Sequence, residues 1–219
     1  MVDLIHGLTA EVVARNLARA RDAIAAAGRD PAEVEILAAV KYLPAEELAA
    51  LADGGVTVVG ENRAQELEAK AAAAPGRFTW DFIGQLQSRK VKDVLPHVRY
   101  IHSVASDSAL AQLGRHGGPD TRVLIEVNVA GEGGKSGISP DELSSFLDRC
   151  PVSVVGLMTM PPFTADPEAS RPHFAALRRL AEAHGLRQLS MGTSQDYVVA
   201  ASEGATIVRL GTSLFRDGR

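Results

Sequence analysis

Eight short apolar runs rich in β-branched residues alternate with helix-like stretches, and this alternation constrains the fold more than any other feature of the chain. The runs cover residues 34–41, 56–61, 79–84, 100–104, 122–129, 152–158, 188–191 and 205–210. Between most of them lie stretches of helical character, at 44–53, 63–73, 88–94, 107–116, 140–149, 167–184 and 195–203. Short apolar runs bounded by turn residues read as buried strands, and strands that alternate with helices pair in parallel as βαβ units. An open doubly wound sheet and a closed barrel both satisfy this pattern. The count of eight favours the barrel, and so does the length of 219 residues, since such barrels begin near ~200 residues. No Gly-x-Gly-x-x-Gly follows the first run, which weakens a dinucleotide-binding reading. The expected fold class is α/β: a single-domain (β/α)8 TIM barrel over residues 1–219. An extra N-terminal helix is expected at 9–27, with Thr9 as N-cap, Val13, Leu17, Ala20 and Ile24 at helical spacing, and Gly28 ending the pattern.

The formal net charge of −4 gives no electrostatic reason to expect nucleic acid or an anionic membrane as partner. A single cysteine, Cys150, excludes an internal disulfide and fits a reducing compartment. No stretch approaches the roughly 18 apolar residues of a membrane span. Residues 1–7 lack the basic start and apolar run of a signal peptide. The expected location is the cytoplasm. No apolar surface stripe demands a partner, so a monomer is expected. His6, His97, His102, His116, His173 and His184 show no metal-ligand spacing, and no metal is implied.

In a (β/α)8 barrel the active site lies at the C-terminal ends of the strands, so the residues closing each run are the informative ones. They are unusually polar: Lys41, Glu61-Asn62, Gly84-Gln85, Asn128, Met158-Thr159, Ser190 to Ser194, and Arg209 to Thr212. Lys41 follows five apolar residues, and a lysine buried there costs free energy unless it is paired or its pKa falls. A lysine of that kind is a good Schiff-base nucleophile; a lysine snorkelling to solvent is the plainer alternative. The last two strand ends, Ser190-Met191-Gly192-Thr193-Ser194 and Arg209-Leu210-Gly211-Thr212-Ser213, combine glycine with hydroxyls. Glycine lets backbone N–H groups approach an anion, and the loops after strands seven and eight form the common phosphate site of such barrels. A phosphate site beside a Schiff-base lysine describes pyridoxal 5'-phosphate (PLP), or a phosphorylated aldehyde or ketone. Arg209 bears on that choice: an arginine can face the pyridine nitrogen of PLP, and because it only donates, that nitrogen stays unprotonated. A salt bridge or direct phosphate contact is the alternative role. Residues 131–137 end in Gly-Lys-Ser like a phosphate-binding P-loop, but the required first glycine falls at Val129, so the spacing fails.

Together the motifs resemble the pyridoxal phosphate homeostasis protein family. They are Ala39-Val40-Lys41, Gly60-Glu61-Asn62, Phe82-Ile83-Gly84-Gln85-Leu86-Gln87, Val127-Asn128, Lys135-Ser136-Gly137, Gly156-Leu157-Met158-Thr159, Leu189-Ser190-Met191-Gly192 and Val208-Arg209-Leu210-Gly211-Thr212. The resemblance runs from Leu37 to Phe215 and implies a barrel like the N-terminal domain of alanine racemase. It implies PLP as a Schiff base on Lys41, Arg209 near the pyridine nitrogen, and phosphate around Ser190, Gly211 and Thr212. Asn62, Met158, Gly192 and Thr193 complete the expected cofactor-binding set. It also implies a holder and deliverer of PLP in vitamin B6 homeostasis, with PLP-dependent apo-enzymes as recipients and no efficient catalysis. A PLP-dependent amino-acid racemase or a Schiff-base aldolase is the alternative. A racemase needs a second acid–base group on the opposite face of the cofactor, and the chain ends a few residues after the eighth run. Tyr42 is the tyrosine closest to a strand end. Asp81 stands where the family usually has histidine, Thr193 where methionine is common, and Arg216 where glycine is usual. The first puts any role of that histidine in doubt.

Overall fold

The computed structural model describes residues 4–216, so the first and last three residues of the expected 1–219 domain lie outside the described part. Its strands are β1 (Glu35–Ala39), β2 (Val58–Glu61), β3 (Thr79–Phe82), β4 (Tyr100–Val104), β5 (Arg122–Glu126), β6 (Ser153–Met158), β7 (Gln188–Thr193) and β8 (Ile207–Leu210). They close into one barrel in sequence order, and β1 completes the ring by pairing in parallel with β8.

Alternation along each strand separates two environments. Outward side chains such as Ala38, Val59, Ile101, Val123, Leu157, Leu189 and Val208 belong to the main core between sheet and helices. Inside the barrel, Leu37, Val58 and Ile207 form a second, small apolar cluster, with Ile83 and Tyr100 packed against it. The interior also holds a group of polar side chains: Asp81, His102, Ser190 and Arg209 are all buried.

The helix Ala10–Ala26 starts at Thr9, whose side chain accepts from the Val12 N–H. Several apolar runs outlast their strands. β1 stops at Ala39, leaving Val40 and Lys41 beyond it, and β5 stops at Glu126, after which Val127 bridges to Ile138 instead. Apolar character continues past the last ladder bond because the loop bases are also buried: Val40 and Val127 are both within 1% of full burial. A single helical turn at Thr212–Phe215 after β8 was not anticipated. It is too short to show periodicity. The N-terminal helix holds it through Asn16, which donates to the carbonyls of Leu214 at 3.2 Å and Arg216 at 2.9 Å.

Candidate functional site

At the C-terminal ends of the strands lies a cavity of about 450 Å³, within the size range of small-molecule sites. Of the nine residues expected to hold a cofactor, Lys41, Asn62, Thr193, Arg209, Gly211 and Thr212 line it. Met158, Ser190 and Gly192 do not.

Lys41 departs from expectation. It is exposed, so the cost of burying its ammonium is not incurred. The strand ends two residues earlier, and the side chain stands at the rim with Nζ 4.5 Å from the centre of the Tyr42 ring, a cation–π distance. Lys41 and Tyr42 also border an outer cleft of about 750 Å³. The segment carrying them is tied down from below. Lys70, on the helix Ala64–Ala73, donates to the Val40 carbonyl at 2.8 Å and to Glu61 Oε2 at 2.6 Å. Glu61 Oε1 accepts from the N–H groups of Asn62 and Arg63. One buried ion pair therefore fixes the ends of both β1 and β2.

Asn62 brings an orphaned acceptor, since its buried Oδ1 has no hydrogen-bond partner in the protein. Gly84 is what lets β3 end against it: a Cβ there would sit 2.1 Å from the Asn62 carbonyl oxygen. On the opposite side the Thr193 N–H and hydroxyl both donate to Asp196 Oδ1. Ser194 Oγ accepts from the Gly211 N–H at 3.2 Å and lies 2.8 Å from Ser213 Oγ. The two Gly/Ser/Thr loops thus meet, as their order in the barrel predicts.

The three absentees have physical reasons. Gly192 has φ +89, and a Cβ there would lie 2.5 Å from Ala200 Cβ, so it permits close packing of the helix Tyr197–Ser202 rather than ligand approach. Met158 is buried beneath the mouth, and Met160, two residues on, reaches the cavity instead. Ser190 is fully buried, with its hydroxyl engaged to His102 and Arg209.

Sequence reasoning missed that engagement and Met160 on the cavity wall; Gln85 and Ser194 were read as strand-end residues and Tyr42 as near one, but none was placed in the cofactor-binding set. The available signal was alternation: in Trp80-Asp81-Phe82, Ile101-His102-Ser103 and Leu189-Ser190-Met191 a polar residue takes the inward position of each strand. Arg209 Nη1 donates to Ser190 Oγ at 2.8 Å and to its carbonyl at 3.2 Å, and Nη2 donates to the Thr159 carbonyl at 2.9 Å. Burial pushes the guanidinium down to about 10, against the pull of Glu126 and Asp196, so it stays charged at neutral pH.

His102 makes a pH prediction. Burial, only partly offset by Asp81, holds its imidazole below the ordinary value of 6.5, and the charges of Arg209 and Arg99 act in the same direction. The folded protein keeps His102 neutral where the unfolded chain protonates it. In the window between the folded value and 6.5 the unfolded state binds the extra proton, so stability falls as pH falls, by about 1.4 kcal/mol per pH unit. Urea unfolding at about pH 7.5 and at a pH just below 6.5 should show the parent losing more stability than His102→Asn. Equal losses would mean that His102 is not held neutral.

Comparison with known proteins agrees with this architecture. Residues 10–218 match the alanine racemase N-terminal domain family. A pyridoxal phosphate homeostasis protein of Aquifex aeolicus is 39% identical over 94% of this chain and 97% of its own. A solved structure from Bifidobacterium adolescentis, described as an unknown protein, is 34% identical with a TM-score of 0.85, covering 98% of each chain. The structure of PipY from Synechococcus elongatus, solved with PLP bound, is 30% identical with a TM-score of 0.78, covering 93% of this chain and 100% of that one. With its closed parallel barrel, its strand-end cavity and these relatives, the chain belongs to the pyridoxal phosphate homeostasis protein family.

Proposed function

We propose that the chain binds PLP at the mouth of its barrel, holds it reversibly through Lys41, and hands it to PLP-dependent apo-enzymes without efficient turnover of its own. The observation that carries this reading is the exposed Lys41 amine at the rim of a cavity that Arg209, from the neighbouring strand, also lines. The residues present fit the group. Asn62 Oδ1 is a buried acceptor without a partner. Ser194, Gly211 and Thr212 line the cavity together, and the Ser194 and Thr212 hydroxyls are donors suited to a phosphate. PLP supplies an aldehyde carbon that a lysine amine can attack, and a pyridine ring that can draw electrons from what is attached to it. Arg209 weakens the second property: a guanidinium only donates, so a ring nitrogen facing it stays unprotonated. Exposure of Lys41 on the side of the outer cleft supports release rather than sequestration. Every residue offered to the cofactor comes from one chain, consistent with a monomer, and a reducing cytoplasm suits its single cysteine.

A visible absorbance band should appear when the purified protein is mixed with PLP. The band should be lost in Lys41→Ala, and borohydride should shift it out of the visible range to the reduced form while the cofactor stays covalently attached. A protein that stays colourless with PLP overturns the reading. Carrier and enzyme separate on incubation of the loaded protein with single L-amino acids, where turnover to the D-form would establish a racemase instead.

A further inference from the structure

The polar half of the barrel interior forms one unbroken hydrogen-bonded chain, and its donor and acceptor roles follow by elimination. A guanidinium cannot accept, so Ser190 Oγ accepts from Arg209 Nη1. At the other end the ionised Asp81 carboxylate, held by Arg99, only accepts, so the imidazole donates to Asp81 Oδ2 from Nε2 at 3.0 Å. Kept neutral by burial, the ring has no second proton, so Nδ1 accepts from the Ser190 hydroxyl, 2.8 Å away. Asp81 is itself held from the base of the barrel by Arg99, through Nε at 3.1 Å and Nη2 at 2.6 Å, and by the Tyr100 N–H at 3.1 Å. Arg99 in turn is gripped by both oxygens of Glu35.

Only one end of this chain reaches the cavity, and that end is Arg209. Three acceptors fix its guanidinium. Two are main-chain carbonyls set by the strands, and the third is the Ser190 hydroxyl, whose direction depends on His102. A buried polar chain is costly unless every member is satisfied. Here each member has a partner with a defined role, and the apolar cluster beside it shows that the same barrel can be filled without polar groups.

We infer that Asp81, His102 and Ser190 are positioning residues for the cofactor site: Asp81 sets the tautomer of His102, His102 turns the Ser190 hydroxyl, and Ser190 holds Arg209 in the plane it presents to the bound ring. The inference rests on the reading that Arg209 faces the cofactor.

The test is PLP titration of the full chain, followed through the visible band and its pH midpoint. Ser190→Ala removes one hydroxyl and leaves both carbonyl contacts of Arg209. It should weaken PLP about tenfold and raise the pH midpoint of the band, because a looser cation opposes protonation near it less. Two histidine variants separate positioning from packing. His102→Asn keeps an acceptor where Nδ1 stood, whereas His102→Gln keeps only the group that reaches Asp81. Asn should hold PLP within about threefold of the parent, and Gln should resemble Ser190→Ala. Parental affinity and midpoint in Ser190→Ala, or equal behaviour of Asn and Gln, overturns the inference. Arg209→Met distinguishes the underlying reading: parental binding there removes Arg209 from the cofactor and the inference with it. Weakened binding in Arg209→Met, with Ser190→Ala unchanged, overturns the inference alone.

Discussion

Lys70→Met is expected to destabilise the protein by about 3–5 kcal/mol, the typical cost of removing one partner of a buried ion pair. Lys70 is 3% exposed and Glu61 is fully buried. Without the ammonium, the Glu61 carboxylate keeps only the N–H groups of Asn62 and Arg63, and the Val40 carbonyl loses its donor. Denaturant unfolding should show the loss directly, and thermal unfolding should show a drop on the order of 10 °C. The double variant Glu61→Gln/Lys70→Met should recover much of it, because the uncompensated charge is gone. A single variant within 1 kcal/mol of the parent would show that the pair contributes little and that the end of β1 is held by packing alone. The site should feel the change as well. Lys41 follows Val40 directly, so loosening that carbonyl loosens the backbone from which the proposed PLP-bearing side chain projects. Weaker PLP binding should therefore accompany lower stability in Lys70→Met.

The barrel was legible in the sequence because its signal repeats. Each strand is a short run bounded by turn residues, and each returns through a helix with its own apolar face, so errors at single boundaries leave the count intact. The run at 100–104 coincides with β4, whereas the run at 34–41 overshoots β1 by two residues at its C-terminal end. That overshoot is why Lys41 read as a buried lysine when it stands exposed at the rim. The mouth was legible for the same reason as the barrel, since residues closing consecutive strands must converge. The interior was not. Asp81, His102 and Ser190 come from β3, β4 and β7, and what joins them is distance across the lumen, which only closure of the ring sets. Ser190 shows the consequence: its strand and its hydroxyl suggested a phosphate ligand, but alternation turns it inward, one layer below the mouth.

Asp81 carries the second large effect, and Asp81→Ala is expected to cost about 3–5 kcal/mol. The carboxylate is fully buried and accepts four hydrogen bonds, from Arg99 Nε and Nη2, Tyr100 N and His102 Nε2. Alanine strands the imidazole and the Tyr100 N–H, while Arg99 keeps only Glu35. Burial pushes the Asp81 carboxyl up, but the bonds from His102 and Arg99 outweigh it and hold it below the ordinary value of 3.8. A carboxyl depressed in the folded state adds stability that is fully present above its unfolded pKa and is lost as pH falls through the folded one. The gap between parent and Asp81→Ala should therefore be widest near neutral pH and narrow in strong acid. Urea titrations across that range measure it. A gap that does not change with pH would mean that Asp81 acts there by shape and not by charge. Asp81→Asn sharpens the point: it keeps the volume but turns a donor toward either Arg99 or His102, both of which need acceptors. If charge and acceptor capacity are what matter, the isosteric asparagine should be nearly as costly as alanine.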